Sequence, residues 1–197
     1  MTGPFRLGLT GSIGMGKSTT ARLFADRGCA VWDADAAVHR LYGRGGGAVA
    51  PVAALCPAAA GPDGIDRAAL KHWIARDPTA LPRLESVVHP LVARDRADWA
   101  ARQDTDIAVF DIPLLFETGA EIDMDAVAVV SAPQVTQRAR VLARPGMTAD
   151  DFDRILARQM PDAEKRARAT HVIDTTSPET ARRDVDRVLT KIRSGHA

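Results

Sequence analysis

Eight residues near the start of the chain, Gly11-Ser12-Ile13-Gly14-Met15-Gly16-Lys17-Ser18, restrict its fold more than any other stretch. They fit G-x-x-x-x-G-K-[ST], the phosphate-binding loop pattern. An apolar run, Phe5-Arg6-Leu7-Gly8-Leu9-Thr10, leads directly into them and reads as a buried strand. A helical stretch over residues 17–27 follows and ends at Gly28, where helices favour a left-handed residue. Strand, glycine-rich turn and helix is the order that wraps a phosphate. Successive backbone N–H groups face the anion, and the helix N-terminus adds partial positive charge. In this pattern Lys17 reaches the β/γ-phosphates of a nucleotide and the Ser18 hydroxyl binds Mg²⁺.

Further apolar strand candidates recur at 30–32, 107–112, 126–131 and 171–173, with helical stretches between them. That alternation predicts a parallel, doubly wound α/β sheet. Pro133 and Pro178 fit first-turn positions, and Thr176 with Glu179 fits a capping box for the last helix.

The second and third strand candidates are too far apart for a simple crossover. The gap opens with a helix over 34–42 and a soft stretch, Gly43-Arg44-Gly45-Gly46-Gly47. A Pro/Ala/Gly-rich loop over 56–64 and helices over 66–75 and 78–102 follow. Such a helical insertion either holds a phosphate acceptor or only decorates the core. His89-Pro90 should start or bend its longest helix, with His89 touching a ligand or steadying the bend.

Between the fourth and fifth strands the chain carries Arg138, Arg140, Arg144, Arg154 and Arg158 around Pro145-Gly146. Phosphoryl transfer needs positive charge on the moving group and exclusion of water, so this segment reads as a lid. The alternative is a solvated basic helix face, since arginine is the default cation here. The only lysines are Lys17, Lys71, Lys165 and Lys191.

Acidic residues fall where open α/β sheets bind ligands, at strand carboxyl ends. Asp33 is the choice for the base that accepts the acceptor's proton, and Asp35 caps the next helix or joins the site. Asp111 holds Mg²⁺ through water or caps the turn before Pro113.

The 197 residues carry a net charge of +1, so no global field points to nucleic acid or a membrane surface. No run approaches the ~18 apolar residues of a membrane span, and the N-terminus has no secretory leader pattern. Cys29 and Cys56 make no metal or redox spacing, and His39, His72, His171 and His196 show no triad. A cytoplasmic protein is expected, either a monomer or an oligomer.

Four blocks together resemble the dephospho-coenzyme A kinase family, and the likeness runs from about residue 5 to 189. They are Leu9 to Thr19, Asp33-Ala34-Asp35, Val88-His89-Pro90-Leu91, and Asp111-Ile112-Pro113-Leu114-Leu115-Phe116-Glu117. The lid adds Arg140, Arg144, Thr148, Arg158 and Gln159. The chain departs from the family pattern at Pro145 and at Thr175-Thr176-Ser177.

The resemblance implies a P-loop kinase core with a five-stranded parallel sheet in the order 2-3-1-4-5, a helical acceptor-binding insertion and a helical lid. Core segments are then 1–34, 103–136 and 168–197, the insertion 35–102 and the lid 137–167. It implies Mg²⁺-dependent transfer of the ATP γ-phosphate to the ribose 3′-hydroxyl of dephospho-coenzyme A. Asp33 would be the base, Lys17 the phosphate ligand and Arg140 the lid contact. ATP would lie on Gly11, Ser12, Ile13, Gly14, Met15, Gly16, Lys17, Ser18, Thr19 and Arg144. The acceptor would meet Asp33, Asp35, His89, Pro90, Leu114, Leu115 and Glu117, and the metal Ser18 and Asp111. A different small-molecule kinase and a GTP switch are the rival readings. The switch needs an N-K-x-D loop, and this chain contains no asparagine.

Overall fold

A computed structural model describes residues 3–195; His196 lies outside the described residues. In chain order the elements are β1 (Phe5–Thr10), α1 (Lys17–Ala25), β2 (Ala30–Asp33), α2 (Ala34–Tyr42) and α3 (Val49–Leu55). Then come β3 (Ala60–Gly61), β4 (Gly64–Ile65), α4 (Arg67–Arg76), α5 (Ala80–Ala100) and β5 (Ile107–Asp111). β6 (Ala126–Ser131), α6 (Gln134–Leu142), α7 (Ala149–Leu156), α8 (Asp162–Arg168), β7 (His171–Asp174) and α9 (Pro178–Arg193) complete the chain. Two compact units divide it: Met1–Trp32 with Gln103–Ala197, and Asp33–Arg102.

The first unit is built on a five-stranded parallel sheet in the order β2-β5-β1-β6-β7. Counted among themselves, these strands stand in the order 2-3-1-4-5. β5 and β6 are buried at every residue, as β-branched and apolar runs covered on both faces should be. Leu7, Leu9, Ile107, Val109, Ala128 and Val130 share one core with Phe24 of α1 and Val185, Val188 and Leu189 of α9. The register sets Leu9 against Asp111 and Thr10 against Val129, so the turn after β1 leaves from the carboxyl ends of its neighbours.

Helix α9 starts differently from the sequence expectation. The capping box is Ser177 with Thr180, not Thr176 with Glu179. Ser177 Oγ accepts the Thr180 N–H at 3.1 Å, and Thr180 Oγ1 accepts the Ser177 N–H at 3.2 Å. Pro178 is the first helical residue, which makes its predecessor the cap. The Thr176 hydroxyl is already given to Asp174, at 2.5 Å. Pro133 likewise sits one residue before the first turn of α6, at the cap.

In the second unit, Asp33 rather than Asp35 caps α2, its Oδ1 accepting the Ala36 N–H at 2.8 Å. Asp66 caps α4 in the same way, from Ala68 N at 2.8 Å. The stretch expected as a loop folds into a short 3₁₀ turn, Pro57–Ala59, and the β3–β4 hairpin. Pro90 neither starts nor breaks a helix; α5 runs through it. Leu84 and Val88 before the missing N–H and the partly buried Leu91 and Val92 after it pack with Val52 and Leu70 and hold the helix to its core. Among the described residues, no helix is long and apolar enough to cross a membrane.

Candidate active site

The phosphate loop leaves β1 at Gly11 and enters α1 at Lys17. Gly14 and Gly16 take φ of 78° and 86°, a left-handed backbone that side chains other than glycine rarely adopt. A Cβ on Gly14 would also lie 2.5 Å from Val141 Cγ2 and 3.0 Å from the Gln137 carbonyl, so α6 touches the loop here. The first N–H groups of α1, at Lys17, Ser18 and Thr19, have no intrahelical acceptors and are the ready donors for an anion.

Not every loop residue expected to face a ligand does so. Ile13 donates its N–H to Gln159 Oε1 at 3.0 Å, and Met15 donates its own to the Ser12 carbonyl at 3.1 Å. The Met15 side chain is core, 2% exposed, and its sulfur accepts the Ala132 N–H at 3.2 Å. Ser12 Oγ is buried without a hydrogen-bond partner among the described residues.

Lys17 Nζ pairs with Asp111 Oδ1. Asp111 is the last residue of β5, and Ile112 N bonds to the Leu9 carbonyl at 3.0 Å, locking that strand end beside the loop. Ser18 and Thr19 are exposed.

A cavity of about 310 Å³ is lined by Gly14, Gly16, Thr19, Arg140, Arg144 and Thr175, among others. Arg140 Nη2 donates to the Thr175 carbonyl at 2.7 Å. Its Nη1 is buried with no hydrogen-bond partner among the described residues. Thr175 is itself fixed, its hydroxyl donating to the Met15 carbonyl at 2.7 Å. Asp174 beside it is held below the ordinary carboxylate range by the Thr176 hydroxyl and N–H.

The expected lid is a pair of helices, α6 and α7, joined through Pro145-Gly146 and capped by Thr148, whose Oγ1 accepts the Asp151 N–H at 3.1 Å. Its arginines divide in role. Arg138 pairs with Asp153 at 3.1 Å and lies over the Phe152 ring, which ties α6 to α7, while Arg154 pairs with Asp151 at 3.3 Å within α7. Arg140 and Arg144 face the cavity by the loop, while Arg158 lines a separate hollow with Gly146, Met147 and Ile155.

Two residues expected to meet the acceptor are engaged elsewhere. Leu115 is fully buried and packs over Gly8 of β1, so it is core. Glu117 pairs with the fully buried Lys165 at 2.8 Å and accepts the Met160 N–H at 2.8 Å. Burial pushes its carboxyl upward, but Lys165 and the Met160 N–H outweigh that and hold it below its ordinary value. Leu114 is 42% exposed. Asp33, Asp35, His89 and Pro90 are all exposed and belong to the second unit.

No sequence motif pointed to Gln137 or Lys165, and Thr175 stood out only as a departure from the family pattern. Lysine is scarce in the chain, and two of its four lysines, Lys17 and Lys165, make ion pairs in this region.

A parallel sheet of this order with a phosphate loop after its central strand defines a P-loop kinase fold. The dephospho-CoA kinase family model matches residues 5–180. Dephospho-CoA kinase of Cereibacter sphaeroides is 65% identical over 190 residues, covering 96% of each chain. That of Ruegeria pomeroyi is 59% identical over 192 residues, covering 98% of each. The crystal structure of TT1252 from Thermus thermophilus superposes with a TM-score of 0.84 at 34% identity, covering 100% of each chain. The chain belongs to the dephospho-CoA kinase family.

Proposed function

We propose that this chain transfers the γ-phosphoryl group of ATP to the ribose 3′-hydroxyl of dephospho-coenzyme A, yielding coenzyme A and ADP, the last step of coenzyme A synthesis. The observation that carries this reading is the 65% identity to a dephospho-CoA kinase along 96% of both chains. The phosphate loop and the arginine-lined cavity supply matching chemistry.

In this reading ATP occupies the cavity by Gly14, Gly16, Thr19, Arg140 and Arg144. Its phosphates take the N–H groups of the first turn of α1. Lys17 shares its ammonium between Asp111 and the β/γ-phosphates, and Arg140 offers its unpartnered Nη1 to the transferring group. The 3′-oxygen of the acceptor attacks the γ-phosphorus as the bond to the ADP oxygen breaks. The hydroxyl proton passes to Asp33, through Oδ2, because Oδ1 holds the Ala36 N–H. Asp35, His89 and Pro90 of the second unit, and Leu114 of the first, are assigned to acceptor binding. The assignment gives the sheet segments 1–34, 103–136 and 168–197 to the core, 35–102 to acceptor binding and 137–167 to the lid.

Mg²⁺ suits the donors present. Ser18 offers an exposed hydroxyl and Asp111 a carboxylate, and no cluster of three or more metal-ligating side chains occurs among the described residues. An ion held by one or two protein oxygens, by water and by substrate phosphates has that character. When bound, it neutralises charge on the phosphates. Two buried free thiols suit a reducing, cytoplasmic setting.

The test is turnover. With ATP and Mg²⁺ the purified protein should convert dephospho-coenzyme A to coenzyme A, read by chromatography, and chelation should stop it. Comparable turnover of shikimate, AMP or adenosine, or preference for GTP over ATP, would overturn the reading.

A further inference from the structure

We infer that Gln137 and Gln159 are positioning residues that clamp the phosphate loop at Ile13 and so set its affinity for the nucleotide. The inference rests on the nucleotide half of the reading above and is independent of the acceptor.

Ile13 gives its N–H to Gln159 Oε1 at 3.0 Å, and its carbonyl accepts Gln137 Nε2 at 2.8 Å. A backbone N–H only donates and a carbonyl only accepts, so both amide orientations follow from the chemistry. Two side chains thus hold the peptide groups on either side of one loop residue. The next residue, Gly14, is in the left-handed region and pressed against Val141 and the Gln137 carbonyl of α6. Gln137 and Val141 are one helical turn apart on the same face of α6 and are 3% and 0% exposed. Gln159 lies just after α7. Both limbs of the lid segment therefore end on the same loop residue.

Gln159 is braced from behind. The N–H of the next residue, Met160, goes to Glu117, and Glu117 pairs at 2.8 Å with Lys165, which is 0% exposed. A run of contacts from Lys165 through Glu117 and Met160 to Gln159 thus reaches the loop at Ile13. Phosphate binding requires several loop N–H groups to point inward together. A loop whose peptide planes are already fixed loses less freedom on binding than one that must order first.

The experiment uses Gln159→Met and Gln137→Met, which keep side-chain volume and remove the amide, singly and together in the full chain. ATP affinity is measured by equilibrium titration and folding by thermal midpoint. Each single variant should raise the ATP Kd about fivefold, the scale of one net hydrogen bond. Because both bonds restrain one residue, the double variant should fall well short of the ~25-fold product. A merely structural role would lower the midpoint and leave the ATP Kd of the folded protein where it was. Gln159 is only half-buried, so Gln159→Met decides the matter alone should Gln137→Met fail to fold. A Gln159→Met Kd within twofold of wild type, or multiplicative effects, would overturn the clamp. Wild-type protein that binds ATP but does not phosphorylate dephospho-coenzyme A defeats only the acceptor reading. Wild-type protein that does not bind ATP defeats both.

Discussion

Lys17, the first residue of α1, and Asp111, the last residue of β5, form an ion pair at the mouth of the phosphate loop. The Asp111 side chain is only 3% exposed, so its charge depends on partners rather than water. The pair holds the ammonium beside the loop.

Lys17→Ala should therefore show two separate effects. Loss of the phosphate ligand should cut kcat/KM by about 10²–10³, the usual cost of one preorganised donor. Loss of the ammonium beside a buried carboxylate should lower stability by about 2 kcal/mol. Lys17→Ala with Asp111→Asn should regain most of the melting temperature and none of the activity. Calorimetry beside steady-state kinetics checks both, and a folded Lys17→Ala with normal turnover would sink the assignment.

Asp33→Asn isolates proton transfer. Asparagine caps a helix as well as aspartate does, so α2 and the melting temperature should be preserved. kcat should fall by about 10²–10⁴ with ATP affinity unchanged. Asp33→Ala should add a stability loss of about 1 kcal/mol through the missing cap. A near-normal kcat for Asp33→Asn would move the role to another carboxylate.

Arg140→Ala should lower kcat by about 10²–10³ and weaken ATP binding much less, as expected of a contact strengthened in the transition state. Arg140→Lys should not recover it. Arginine can keep Nη2 on the Thr175 carbonyl while Nη1 reaches a phosphate, whereas an ammonium is a single point charge. Equal losses in ATP affinity and kcat/KM would contradict this.

The Glu117–Lys165 pair predicts an acid-sensitive stability term. The Glu117 carboxyl is held below its unfolded value of 4.5. Its contribution is therefore present above about pH 4.5 and is lost as pH falls through the lower folded value. Urea midpoints measured downward from pH 6 should reveal the loss, and Glu117→Gln should abolish that part of the pH dependence. The variant should also lose about 3 kcal/mol at pH 7, because Lys165 stays buried without its counter-charge. An unchanged midpoint profile in Glu117→Gln would remove the pair from the account.

The parts of this site that lie close together in sequence were legible there, because turn and phosphate chemistry fix both residue type and spacing from Gly11 to Ser18. The strand sequence was legible for a similar reason, since continuous apolar runs such as that from Ile107 to Phe110 are needed where both sheet faces are covered. Helix starts were ambiguous by one or two residues. Thr176 and Ser177 are both plausible caps, and Pro178 was the deciding signal. Asp33 and Asp35 competed likewise, and the cap fell to the residue chosen as the base. The Lys165–Glu117 pair and the glutamines on Ile13 left no local trace. Their partners lie 48 to 146 residues apart in sequence, as with Lys165 and Glu117 or Gln159 and Ile13, and only the folded chain joins them.

Asp33 closes β2, opens α2 and marks the point where the chain passes from the sheet unit to the helical unit. Structural joint and proposed proton acceptor are thus one side chain with one oxygen committed to each duty. Evolution has little latitude at such a position. Glutamate, the obvious chemical substitute, carries an extra methylene and is a poor helix cap, so it would disturb the joint whenever it preserved the acid–base chemistry. Diversification of this enzyme's acceptor preference is therefore expected to proceed through the helices beyond Asp33, with the aspartate itself held fixed.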